Sequence, residues 1–220
     1  MRLRKIAGAD EAVAKHERVL KAEQRKAGWL KELAAGKPAY LEIGMGKGDF
    51  MLEMADKYPN ALFLGLEKYS SVLLKALQKY DNIEDKPENL WFLWENALDL
   101  ADIFSAAGLD GIYLNFSDPW PKERYAKRRL TAPAFLEKYY QILKPEGRVE
   151  FKTDNPGLFD FSLHSLADSP YFKIEKIYRD LHREIAAAEN VMTEYEKKFS
   201  ALGHPIYKIV CSKTAGTSMP

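Results

Sequence analysis

Hydrophobic and polar positions follow two rhythms along the chain. Short apolar runs, "AYLEIG" at 39–44, "ALFLGLE" at 61–67, "NLWFLWE" at 89–95 and "GIYLNF" at 111–116, predict buried strands. Between them lie stretches with helical spacing at 48–58, 70–80 and 98–106, then 132–143 ahead of a fifth strand, "GRVEFKT", at 147–153. Strands and helices alternating at this interval predict βαβ units and a parallel sheet covered on both faces. After residue 154 the rhythm changes: a helix over 157–167 precedes two strands, 171–180 and 204–213, predicted to pair antiparallel. At the other end, Val13, Leu20, Trp29, Leu30 and Leu33 amid charges predict a helix over 10–35, ended by Gly36 and Pro38.

Composition narrows the class. The chain has 220 residues, 46% hydrophobic and 30% charged, as in a globular protein with a sizeable core. No apolar run reaches the ~18 residues of a membrane span, and the N-terminus lacks a secretory signal. One cysteine, Cys211, permits no intrachain disulfide and fits a cytoplasmic setting. The sequon at Asn115 is then accidental. His16, His164, His182 and His204 are scattered without ligand spacing, so no metal site is expected.

Net charge is only +1, but residues 1–37 carry ten Lys/Arg against five Asp/Glu. A second basic zone follows the fourth strand in "NFSDPWPKERYAKRR", whose second part sets Lys122, Arg124, Lys127, Arg128 and Arg129 against one acid, Glu123. Together they are either a footprint for a polyanion or solvated surface. Within this stretch, Pro119 and Pro121 restrict φ and bias Asp118 and Trp120 toward extended backbone. Trp120 either stacks on a base or packs the loop.

Between the first strand and its helix, "YLEIGMGKGDF" sets Gly44, Gly46 and Gly48 where a backbone approaches a ligand at a helix N-terminus. The G-x-G-x-G spacing fits neither a dinucleotide fingerprint nor a Walker loop. Glu67 ends the second strand, either accepting from ribose hydroxyls or standing as an N-cap-like acid at the helix start beside Lys68. Asn96 follows the third, either contacting an adenine amino group or forming a turn. Polar groups at successive strand ends fit a nucleoside cofactor.

Four motifs in order, "LEIGMGKGDF", "NFSDPWPKERYAKRRL", "FKTDN" and "TEYEKKF", resemble the tRNA (guanine-N7)-methyltransferases over about residues 38–213. The resemblance implies an α/β, Rossmann-like class I methyltransferase fold, a seven-stranded, mostly parallel sheet with an antiparallel last strand and helices on both faces. It implies S-adenosylmethionine as cofactor, bound at Glu42, Gly44, Gly46, Glu67, Asn96 and Asp118, with Asp118 also the catalytic carboxylate. It further implies tRNA as substrate and partner: Lys122, Asp154, Thr193 and Glu196 for the guanine, and Arg124, Lys127, Arg128 and Arg129 for the RNA. The product is 7-methylguanosine at position 46 of the variable loop. Asn96 stands where the family often has an acid, and Tyr125 where histidine is common. By pattern alone the segment around Thr193 reads as an exposed amphipathic turn; the resemblance implies that Thr193 and Glu196 hydrogen-bond the guanine edge. The expected organisation is a basic N-terminal helical extension (1–37), a methyltransferase domain (38–213) and a flexible tail (214–220), as monomer or homodimer. A small-molecule methyltransferase lacks need of a phosphate clamp, a non-catalytic RNA module lacks reason to keep Glu67 and Asp118, and a dehydrogenase has other glycine spacing.

Overall fold

The computed structural model describes residues 5–104, 108–185 and 190–215. Seven strands form one sheet: β1 (Ala39–Ile43), β2 (Leu62–Leu66), β3 (Leu90–Leu93), β4 (Leu109–Asn115), β5 (Leu143–Thr153), β6 (Phe172–Tyr178) and β7 (Tyr207–Lys213). Their order is β3-β2-β1-β4-β5-β7-β6. The chain groups into two compact units, Met1–Ser105 and Ala106–Pro220.

In the first unit, β1, β2 and β3 pair in parallel, with Glu42 opposite Gly65 and Gly65 opposite Phe92. Every residue of β2 is buried, as its uninterrupted "LFLGL" requires of a strand covered on both faces. Helices α3 (Asp49–Lys57) and α4 (Ser70–Asp81) turn Phe50, Met51, Met54, Leu73, Ala76 and Leu77 inward at helical spacing. Burial of each large apolar side chain contributes about 1.5–3 kcal/mol. Gly65 has a packing reason that the sequence does not announce. The Met45 side chain lies across it, with Sδ 2.2 Å from where a Cβ would stand.

The N-terminal segment departs from the single helix expected over 10–35. It forms α1 (Ala9–Lys15), a 3₁₀ turn over Ala22–Gln24, and α2 (Trp29–Ala34), with His16 extended and Gly28 left-handed between them. Tertiary pairing overrides local propensity here. Val19 bridges Phe92 in parallel, the Leu20 N–H donates to Phe92 O at 2.9 Å, and Phe92 N–H donates to Arg18 O at 2.9 Å. The segment thus covers the edge that β3 would otherwise expose. Two of its cations are committed to protein. Arg18 lies over Trp91, 5.0 Å from the ring centroid, and Arg25 is ion-paired with Glu95.

In the second unit, β4 and β5 run parallel, while β7 is antiparallel to both β5 and β6. The antiparallel last strand follows the sequence expectation. Helices α6 (Pro133–Ile142) and α7 (Pro156–Ala167) each begin on a proline, whose missing N–H is no loss at a first helical position. Their core faces carry Phe135, Leu136, Tyr139, Leu158 and Phe159. The segment between β6 and β7 holds α8 (Leu181–Glu184) and α9 (Glu194–Ala201). The expected 98–106 helix is α5 (Leu100–Ile103), and its last two positions lie outside the described residues. So do 216–220 of the expected tail, whereas Thr214 N–H donates to Tyr171 O at 3.0 Å.

Candidate functional site

The first unit carries a cradle at the C-terminal end of its strands. Gly44, Gly46 and Gly48 all have positive φ, 74°, 61° and 79°, which explains three glycines in five residues. A Cβ on Gly48 would come within 3.1 Å of Ala76 Cβ, whereas one on Gly44 or Gly46 would meet nothing within 4 Å. Gly48 is therefore there for packing as well as turn geometry; the other two leave open space above the loop. Glu67 closes the cradle. Its carboxylate accepts from Gly46 N–H at 3.2 Å and from Tyr69 N–H at 2.9 Å. Burial pushes this carboxyl above its ordinary value, against the pull of those two N–H groups and of Lys68. Open space over left-handed glycines beside a buried acceptor fits a hydroxyl-bearing nucleoside ligand. Glu42 lies buried on β1. Asn96 is exposed, and its Oδ1 accepts from Leu98 N–H at 3.1 Å, the turn-forming role.

The second unit gathers the remaining predicted residues around the ends of β4 and β5. Asp118, Lys122, Arg124, Lys127 and Arg128 are exposed; the last three lie on a 3₁₀ helix over Glu123–Arg128. That stretch is an ordered turn folded against an aromatic pair. Trp120 and Tyr125 meet edge to face with centroids 5.9 Å apart, and the Arg128 guanidinium lies 5.0 Å and 4.8 Å from their centroids. Trp120 thus packs the loop. Its backbone is not extended, as a following proline favours, but left-handed at φ 42°. Such a conformation costs about 1–2 kcal/mol for a side-chain-bearing residue.

A neighbouring arginine holds Trp120 there. Arg129, predicted to contact RNA, is buried, donating Nε to Pro119 O and Nη2 to Trp120 O, each at 3.1 Å. Its planar fork matches two successive carbonyls, a task a lysine would not perform.

Glu196 is buried as well. The T-x-x-E pattern from Thr193 to Glu196 marks a helix start, and Thr193 Oγ1 accepts from Glu196 N–H at 2.9 Å. The Glu196 side chain, 0% exposed, turns inward rather than toward a base edge. It accepts from Lys152 Nζ at 3.0 Å and Asn190 Nδ2 at 2.6 Å, and His182 Nε2 lies 3.2 Å away. Lys152 Nζ also donates to Asn190 Oδ1 and Val191 O, at 2.7 and 2.9 Å. Burial lowers the Lys152 pKa, with the Glu196 charge opposing. Sequence reasoning missed Lys152, whose signal was a cation inside the buried strand "FKT".

Beside this buried network, Tyr195 is exposed, and its hydroxyl donates to Asp154 Oδ2 at 3.3 Å. Burial, then the Asp154 charge, raises the Tyr195 pKa. Its ring stacks on Phe199 at 4.1 Å and meets Phe116 at 5.1 Å. Phe116 follows β4 at φ 51°. Asp154, Thr193 and Tyr195 are thus held in one neighbourhood, backed by Glu196 and Lys152.

Solved structures with this topology define the class. The 16S rRNA methyltransferase KamB aligns with a TM-score of 0.66 at 12% identity, covering 86% of this chain and 94% of its own. A SAM-dependent O-methyltransferase from Thermotoga maritima aligns at 0.53 and 14% identity, covering 97% and 74%. The fold is therefore that of the Rossmann-like methyltransferases, and the family model described as "Putative methyltransferase" matches residues 36–209. Full-length relatives narrow this further. A tRNA (guanine-N(7)-)-methyltransferase of Lachnoclostridium phytofermentans is 46% identical, over 96% of this chain and 97% of its own. One from Pediococcus pentosaceus is 43% identical, over 95% and 98%. The chain belongs to the tRNA (guanine-N(7)-)-methyltransferase family.

Proposed function

We propose that this protein transfers the methyl group of S-adenosylmethionine to N7 of guanine 46 in the variable loop of tRNA, in the cytoplasm. The observation that carries the reading is near-full-length identity to enzymes named for this reaction. S-adenosylmethionine supplies an electrophilic methyl group on a sulfonium when bound. The glycine loop and Glu67 suit its binding: open space over Gly44 and Gly46, and a carboxylate able to accept from ribose hydroxyls. Glu42 and Asn96 are further candidates for the same ligand.

Guanine N7 has a free lone pair at neutral pH, so methylation requires no general base. Positive charge appears on the purine as transfer proceeds. A carboxylate fixed beside the ring favours that charge without moving a proton. Asp118 takes this role, on a loop stiffened by two prolines and exposed to an incoming base. Lys122, Asp154, Thr193 and Tyr195 line the guanine's binding region, and Arg124, Lys127 and Arg128 meet the phosphates. Glu196 acts behind Thr193 and Tyr195 rather than on the base.

The test is incubation with unmodified tRNA and labelled S-adenosylmethionine, followed by digestion to nucleosides. Labelled 7-methylguanosine mapping to position 46 is expected. Label in another nucleoside, or none with several tRNAs, overturns the reading.

A further inference from the structure

The geometry points to Arg129 as a positioning residue that holds the Asp118 loop from behind. Of the five cations in the basic stretch, Arg129 is the buried one, at 8% exposure. Its Nε and Nη2 donate to the carbonyls of Pro119 and Trp120, and the guanidinium lies 4.3 Å from the Phe161 ring centroid. A group so enclosed is poorly placed to take a phosphate.

The other end of the clamp is anchored to α7. Thr131, two residues on, is 1% exposed and hydrogen-bonded through Oγ1 to Ser162 Oγ at 2.7 Å. Ser165 Oγ donates to Thr131 O at 2.6 Å, and Tyr139 OH donates to Leu130 O at 2.9 Å. A chain of direct contacts therefore runs from α7 and α6, through Leu130 and Thr131, to Arg129 and on to Pro119 and Trp120. Asp118 is the residue immediately before that grip. It is exposed, so its position depends on the backbone of the loop more than on packing of its own side chain. Arg129 supplies that position.

This inference rests on the proposed role of Asp118, and the test separates the two. Methyl transfer, tRNA affinity and its salt dependence are measured for the wild type, Arg129→Lys, Arg129→Ala and Lys127→Ala. A displacement near 1 Å at reacting groups lowers rate by as much as about a hundredfold, so Arg129→Lys and Arg129→Ala should each lose about tenfold or more in kcat. Their KM for tRNA and salt slope should match the wild type. Lys127→Ala should instead lower the salt slope by about 0.7–0.9 and raise the KM for tRNA. Retention of kcat by Arg129→Lys, with a lowered salt slope in Arg129→Ala, would make Arg129 a phosphate ligand and overturn the inference. Acrylamide quenching of Trp120, taken as the difference from Trp120→Phe, reads the clamp without any activity. Greater quenching is expected in Arg129→Lys, which keeps the charge and serves as the folded variant if Arg129→Ala does not fold. Unchanged quenching overturns the clamp, whatever nucleoside the wild type methylates.

Discussion

At Glu67 a buried carboxyl, the proposed ribose acceptor, costs the fold stability. Its carboxyl is buried, and the folded state holds its proton more tightly than the ordinary value of 4.5. The stability it contributes is full below that ordinary value and is lost as pH rises through the raised folded one. Glu67→Gln removes the loss. In thermal melts its Tm relative to wild type should therefore climb as pH rises above the ordinary carboxyl value of 4.5. The same variant should weaken S-adenosylmethionine binding by about ten- to a hundredfold in calorimetry, since a hydrogen bond to a charged acceptor contributes about 1.5–3 kcal/mol. A flat stability difference across that range would mean that Glu67 is not strained by burial. Asp118 presents the opposite case, an exposed carboxylate with little to do for stability. Asp118→Ala should lower kcat by about 10²–10³-fold, the range seen when a preorganised electrostatic group is removed. Its tRNA Kd, measured by filter binding, should stay within about twofold, because no phosphate ligand is lost.

At the scale of elements, α9 is tied to β5 by buried charges rather than by apolar packing alone. Lys152 on β5 binds Glu196 on α9, Asn190 and Val191 O in one enclosed cluster. Lys152→Met strands the Glu196 carboxylate and should destabilise by about 3–5 kcal/mol in urea unfolding. Lys152→Met with Glu196→Leu should recover most of that loss, because a buried pair replaced by apolar groups of similar volume is often close to neutral. Failure of the double variant to recover would show that Asn190 and His182 depend on Glu196 as much as Lys152 does. The elements themselves were largely legible: each of the seven strands overlaps one read from the sequence, although β5 begins at Leu143, four residues early. The 10–35 helix was not, because Val19 pairs with Phe92, seventy-odd residues away, and periodicity is blind to distant partners.

For the whole molecule, binding of a polyanion follows from charges that remain at the surface rather than from net charge. Among the described residues of the basic stretch, Lys122, Arg124 and Lys127 are exposed cations. Neutralising all three should weaken tRNA binding and reduce the salt slope by about two to three, at about 0.7–0.9 per phosphate contact. A titration of Kd against salt checks this, and an unchanged slope would remove the stretch from the RNA interface. Among the described residues no helix is long and apolar enough to cross a membrane.

The sequence by itself determined the strand and helix rhythm, the glycine turn, and the kind of group at each strand end. These depend on local pattern: period, φ preference and residue chemistry. It also carried the family resemblance, through the D-P-W-P-K block above all. Only the tertiary structure decided which charges face inward. Lys122 and Arg129 look alike in a string of cations, yet one is exposed and the other grips two carbonyls. Glu196 sits in the first turn of α9, where Lys152 on β5 draws its carboxylate inside. A charged side chain is buried only where distant residues supply its hydrogen bonds, and such partners lie beyond any local window.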